Sequence, residues 1–165
     1  MKNKTVSDLI FQNLVSKGVD TCFMITGGGA MFLNDALQRN KSMKKIFCHH
    51  EQACAMAADS YYRLTNKPAI VQVTTGPGSI NALNGVYGAY VDSIAMIVIA
   101  GQVKTTDMVS LNKHLSKLRQ FGDQETNIRS ISNAITKKNF TIKSSEQTQS
   151  IIDEAYEISI RGRPG

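Results

Sequence analysis

"AIVQVTTGPGSINALNGVYGAYVDSIAMIVIAG" spans residues 69–101 and holds one complete strand, loop, helix, strand unit. Pro68 introduces the run AIVQVTT, in which β-branched residues dominate, and the Gly-Pro-Gly that follows stops it. Residues 79–90 carry helical spacing, and IAMIVIAG is almost wholly apolar. Strands that are apolar on both faces and joined through a helix belong to a parallel sheet covered on both sides. The same order occurs upstream. VDTCFMI reads as a strand, TGGGA as a loop and 31–38 as a helix; KIFCH is a second strand, HHEQ its loop, and 51–63 a helix ended by TNKP. An N-terminal helix precedes these, with Val6, Leu9, Ile10, Leu14 and Val15 on one face and Gly18 past its end. The class expected is α/β, a parallel β-sheet sandwiched by helices. Past Gly101 the pattern weakens into a polar excursion of residues 102–125, a length that suggests a functional segment. A helix over 126–135, a short strand FTIK, a helix over 145–160 and RGRPG complete the chain.

The 165 residues suit one domain, and a 42% hydrophobic content is enough for an ordinary core. The net charge of +6 is spread evenly: residues 1–100 hold nine Lys/Arg against six Asp/Glu, and the remainder ten against seven. Without a basic cluster interleaved with aromatics, no nucleic-acid partner is expected. Cys22, Cys48 and Cys54 are odd in number and lack C-x-x-C spacing, which fits reduced thiols. No apolar run has membrane-spanning length and no signal-peptide core is present, so the expected location is cytoplasmic, with no membrane partner.

In an open parallel sheet ligands bind beyond the carboxyl ends of the strands. TGGGA, HHEQ and TTGPGS all follow strands and share that rim. Glycines there let backbone approach a ligand, or merely build tight turns; TTGPGS reads as a ligand loop with Pro77 as a rigid wall, or as a turn capped by Ser79. Glu51 opens a helix containing Ala53, Cys54, Ala55, Ala57 and Ala58. A simple first-turn Glu would contribute about half a kcal/mol with the helix dipole. Alanines imply close packing over most of this helix, however, and a desolvated carboxyl favours its protonated, donor form. Glu51 is therefore the acid–base candidate. His49 and His50 point to opposite sides of an extended segment and lack further ligands nearby in sequence, so a metal site is not expected. Cys54 has no evident activating base.

With these residues in view, the sequence resembles the N-terminal, pyrimidine-binding domain of thiamine-diphosphate-dependent enzymes of the acetolactate synthase and pyruvate oxidase type. The motifs carrying the resemblance are GVDTCFMITGGGAMFLNDAL, HHEQACAMAADSYYRLTNKPAIVQVTTGPGSINALNGVYGAYVDSIAMIVIAGQV, DQETNIRSISNAITKKNF and GRPG, in that order. It implies a flavodoxin-like, thiamine-diphosphate-binding fold. It also implies that Glu51 hydrogen-bonds a ring nitrogen of the cofactor's aminopyrimidine and promotes loss of the thiazolium proton. By the same resemblance Pro77, Gly78 and Asn81 lie near the pyrimidine, and Ile25, Thr26 and Gly27 form the other wall. Gln124, with Glu125, sits at the active-site mouth. The small faces of the two helices that follow HHEQ and TTGPG would meet a second subunit in a homodimer or homotetramer.

Thr26, His49 and Asp123 depart from the synthase pattern of Pro, Arg and an aromatic residue. The sequence is thereby compatible with branches of the family that use other acceptors, including keto sugars. Family members bind diphosphate and Mg²⁺ through a G-D-G motif in a C-terminal domain, and some also bind FAD; FGDQE holds only Gly-Asp. Residues 1–165 are accordingly expected to be the N-terminal domain of an enzyme of about 550 residues, inactive when isolated. The alternatives are the pyrimidine-binding subunit of a two-subunit 2-oxo acid decarboxylase, or a non-catalytic module of the same fold.

Overall fold

The computed structural model describes residues 4–165. Four strands, β1 (Thr21–Met24), β2 (Lys44–Phe47), β3 (Ala69–Val73) and β4 (Met96–Ala100), form one parallel sheet in the order β2-β1-β3-β4. All of β1 and β3 is buried, whereas β2 at one edge is half-exposed. The expectation of a parallel α/β sandwich therefore holds. Among the described residues no helix is long and apolar enough to cross a membrane.

Among the described residues six α-helices accompany the sheet: α1 (Val6–Ser16), α2 (Met31–Arg39), α3 (Glu51–Thr65), α4 (Pro77–Val91), α5 (Ile128–Ser132) and α6 (Ser145–Ile160). On one face α1, α2 and α6 bury Phe11, Leu14, Leu37 and Ile152 against Cys22, Met24 and Ile70. On the other, α3 and α4 bury Cys54, Ala55, Ala58, Ala82 and Val86 against Phe23, Val71 and Val73. Alternate strand residues thus feed opposite cores, the period-two geometry of a strand. The helices stop and start for local reasons. Thr5 and Asp8 cap α1 reciprocally, each side chain accepting from the other's backbone N–H. Asn66 ends α3 in the left-handed region, at φ 55°, two residues before Pro68.

Four local expectations are corrected. FTIK is not a strand: its half-buried Ile142 packs on the α1/α2/α6 core, and alternation over two apolar residues specifies a face without specifying a ladder partner. The helix expected over 126–135 is confined to Ile128–Ser132, held by Asn127 at its cap. Helix α4 begins at Pro77 itself, because proline's fixed φ and missing N–H suit the first helical position; Ser79 lies inside the helix, its hydroxyl donating to Gly76 O at 2.8 Å. Finally, α3 is buried along one face and not over most of its surface, with Ala53 and Met56 exposed. The small residues on its buried face pack within the chain, against α4. A Cβ on Gly85 would lie 2.6 Å from Ala55 Cβ, so this glycine is what lets the two helices touch.

Candidate functional site

The order β2-β1-β3-β4 places the loops after β1 and β3 side by side, the position where open parallel sheets hold ligands. These are TGGGA and TTGPG, and they interlock through two threonines. A Cβ on Gly27 would be 2.5 Å from Thr74 Cβ, and one on Gly29 would be 2.7 Å from Thr75 Cγ2. Gly29 N also donates to Thr74 Oγ1 at 3.1 Å. Neither glycine has room for a side chain, because each packs on a threonine of the loop that follows β3.

HHEQ reaches the same rim from β2. Glu51 is the first residue of α3, half-buried, with its carboxylate turned toward α4. Asn81 Nδ2 donates to Glu51 Oε2 at 2.7 Å and lies 3.3 Å from His50 Nε2. The other oxygen, Oε1, has no hydrogen-bond partner among the described residues and faces Gly78, where an added Cβ would stand 3.1 Å away. That Cβ would also be 2.7 Å from Thr74 Cγ2. Glu51, Gly78, Thr74 and Gly27 are consequently one contiguous wall.

Gln124 joins this wall through backbone. Its carbonyl approaches Gly76 so closely that a Cβ there would fall 2.0 Å from the oxygen, and both residues have positive φ, 58° and 57°. A left-handed non-glycine residue is held by its surroundings, and two further side chains do the holding. Gln102 Oε1 accepts from Thr75 Oγ1 at 2.8 Å and Val103 N at 2.9 Å, while its Nε2 donates to Thr126 O at 3.1 Å. Glu125, expected from the sequence at the mouth, turns back to accept from Val109 N at 2.9 Å and so braces the excursion. Gln102 has no counterpart among the sequence expectations, because a glutamine in a polar loop carries no periodic signal. Gly76→Ala is expected to displace the excursion by removing the Gly76–Gln124 contact; limited proteolysis within residues 103–125 should become faster with secondary structure retained.

The remaining expected residues are peripheral. Ile25 packs on the α3/α4 core, Thr26 is exposed, and Pro77 is exposed on the first turn of α4. Cys22 and Cys54 are unsuited to nucleophilic work: burial pushes Cys22 up, and burial with the neighbouring Cys48 and Glu51 pushes Cys54 up to about 12. All three are free. Among the described residues no group of three His, Cys, Asp or Glu side chains converges into a metal site.

Residues 4–128 match the family model described as the thiamine pyrophosphate enzyme, N-terminal TPP binding domain. The chain belongs to this family. It is 33% identical to the acetolactate synthase large subunit of Haemophilus influenzae over 165 residues, all of this chain and 27% of that protein. It is 34% identical to the chloroplastic acetolactate synthase of Arabidopsis thaliana over 159 residues, 96% of this chain and 22% of the relative. The mitochondrial catalytic subunit of Saccharomyces cerevisiae acetolactate synthase is 35% identical over 157 residues, 94% of this chain and 21% of its own length. This TPP-binding domain therefore spans about a quarter of the length of the curated relatives it matches. It is the N-terminal TPP-enzyme domain of acetolactate synthase-like proteins, and the rim built from Gly27, Glu51, Gly78 and Asn81 falls within the matched residues.

Proposed function

We propose that the chain is the pyrimidine-binding domain of a thiamine-diphosphate-dependent 2-oxo acid decarboxylase or carboligase, and that Glu51 activates the cofactor. One observation carries this reading: Glu51 Oε1 is unpaired among the described residues, beside Gly78 at the start of α4, while Oε2 is already held by Asn81. Gly27 and Gly78 pack against Thr74, which draws the loops after β1 and β3 and the start of α4 together beside that oxygen.

When bound, thiamine diphosphate supplies an electron sink for the bonding pair released as a 2-oxo acid loses carbon dioxide. The chain supplies the proton chemistry and the orientation. Oε1 of Glu51 is placed to exchange a proton with a ring nitrogen, and Asn81 keeps the carboxyl from rotating away. Pro77 at the start of α4 contributes no N–H to compete for that nitrogen, and Gly78 admits close approach. Ile25, Thr26 and Gly27 would border the pyrimidine from the loop after β1, and Gln124, locked over Gly76, borders the mouth where substrate would enter. Diphosphate and Mg²⁺ would be held by a C-terminal domain.

On this reading residues 1–165 are the N-terminal domain of a longer cytoplasmic enzyme that works as a homodimer or homotetramer. The isolated domain would have little turnover. Thr26, His49 and Asp123 are compatible with an acceptor other than that of acetolactate synthase, such as a keto sugar. The decisive measurement is a product assay of the full-length protein with pyruvate, thiamine diphosphate and Mg²⁺, with and without keto-sugar acceptors. Carbon dioxide release that depends on the cofactor is expected; its absence together with no cofactor binding would overturn the assignment.

A further inference from the structure

The two edges of the sheet are built differently. Strand β2 carries Lys44 and Lys45, the kind of charge with which a free edge discourages further pairing, whereas β4 reads Met-Ile-Val-Ile-Ala and has neither charge nor proline. Gly101 N donates to Val73 O at 3.0 Å. Backbone groups point to alternate sides along a strand, so those of Ile97 and Ile99 also turn toward β3, and those of Met96, Val98 and Ala100 turn outward. Among the described residues no strand meets them there. Beside this edge lies a cavity of about 1060 Å³. Val98 and Ala100 form one side of it and Phe140 and Ile142 the other, while Val86 of α4 and Ala155 of α6 line it from the two helical layers. A space with an open backbone edge on one side and a helical layer above and below has the shape of the sheet continued by one strand.

We propose that this trough takes a fifth parallel strand, formed by residues that follow Gly165 and paired with the open edge of β4. The chain is already held at the right end of it. Arg163 Nε donates to Ser93 Oγ at 2.6 Å and its Nη2 to Val91 O at 2.9 Å, which ties the RGRPG segment to the turn that enters β4. Gly165 N donates to Ser159 O at 2.9 Å, and a Cβ on Gly165 would lie 3.8 Å from Tyr90 Cδ2 at the end of α4. Gly165 thus borders the cavity beside the start of β4, and a chain leaving it along the trough runs parallel to that strand. The hand of the connections agrees. From β1 through α2 the chain steps toward the β2 edge, with α2 on the face that α6 also covers. A strand entered from α6 by the same hand is reached by stepping the same way, from residues 140–143 back toward β4, and so falls between them. Residues 140–143 are left as the outer wall of the trough, which is why FTIK has no ladder partner among the described residues.

The inference rests on the reading that residues 1–165 begin a longer enzyme, and its test needs neither cofactor nor substrate. The roughly ten residues after Gly165 should contain a run of about five apolar ones, as a strand covered on both faces and matched to β4 requires. Amide hydrogen exchange then reads the edge. In the full-length protein the Val98 amide should exchange at least about 100-fold more slowly than in a chain ending at Gly165, while Ile99, already bonded to β3, changes little. If the chain ending at Gly165 does not fold, Val98 and Ile99 are compared within the full-length protein: similar protection supports the strand, and a Val98 amide faster by about 100-fold overturns it. A polar run after Gly165, a Val98 amide equally slow in the 165-residue chain, or protection that appears only as protein concentration rises, the mark of a second copy in the trough, would each overturn it as well. A coding sequence that stops at Gly165 removes the longer enzyme together with the strand. An open Val98 edge in a chain that continues and releases carbon dioxide with the cofactor removes the strand alone, so the two claims fail separately.

Discussion

Replacing Glu51 with Gln in the full-length protein is expected to lower cofactor-dependent decarboxylation by about 10²–10⁴-fold, the range over which a positioned acid–base group acts. Glutamine is nearly isosteric, and its amide oxygen can still accept from Asn81, so the wall of Gly78, Thr74 and Gly27 should be preserved. What it cannot do is carry a proton to and from the partner facing Oε1. The change also removes a negative charge from the first turn of α3, at a cost of about 0.5 kcal/mol, too little to unfold the domain. Carbon dioxide release under single-turnover conditions, compared with the melting temperature of the same variant, separates chemistry from folding. Glu51→Asp gives a graded control: it retains a carboxyl but withdraws it by one methylene, and misplacement of roughly 1 Å costs about 10²-fold. Turnover of Glu51→Gln within about threefold of wild type would remove Glu51 from the mechanism.

Gly85→Val should produce the largest loss of stability, about 2–3 kcal/mol, because it overpacks a helix crossing that has no slack. Its Cβ would start 2.6 Å from Ala55 Cβ, 3.1 Å from Gln52 O and 3.2 Å from Met56 N, and two of those three atoms are backbone that no rotamer change can move. Valine has a slightly better helix propensity than glycine, by a few tenths of a kcal/mol, and that offsets little. For a domain of this size the expected fall in melting temperature is roughly 5–10 °C. Adding Ala55→Gly to the same chain should restore part of it, since it removes the atom that the introduced valine meets first; an undiminished loss in the double variant would place the strain elsewhere. The crossing also sets the distance between Glu51 on α3 and Asn81 on α4, so cofactor affinity should fall with stability.

Much of this was legible without coordinates because it is written locally. The apolar runs AIVQV and MIVIA read as strands of a parallel sheet, and Gly18, Gly76 and the Asn66–Pro68 turn punctuate the chain through φ preferences that act over a few residues. Glu51 at the start of a helix beyond a strand was readable for the same reason. FTIK was misread because two alternating apolar residues fit an edge strand and a buried plug equally well. The alanines of α3 gave too wide a buried surface because small residues signal close packing without naming the neighbour or its extent; α4 of the same chain takes one face and leaves Ala53 exposed.

By itself, then, the sequence determined the parallel α/β architecture, the rim formed by the loops after the strands and the carboxyl that stands there, since each follows from periodicity and local backbone preference. Only the tertiary structure decided which side chains meet that carboxyl. Asn81 reaches Glu51 across 30 positions of sequence, and Gly76 meets Gln124 across the whole of α4, β4 and the excursion. Hydrogen bonds of that kind depend on where two helices cross and on which way one amide turns, and neither quantity has a period that spacing along the chain can reveal.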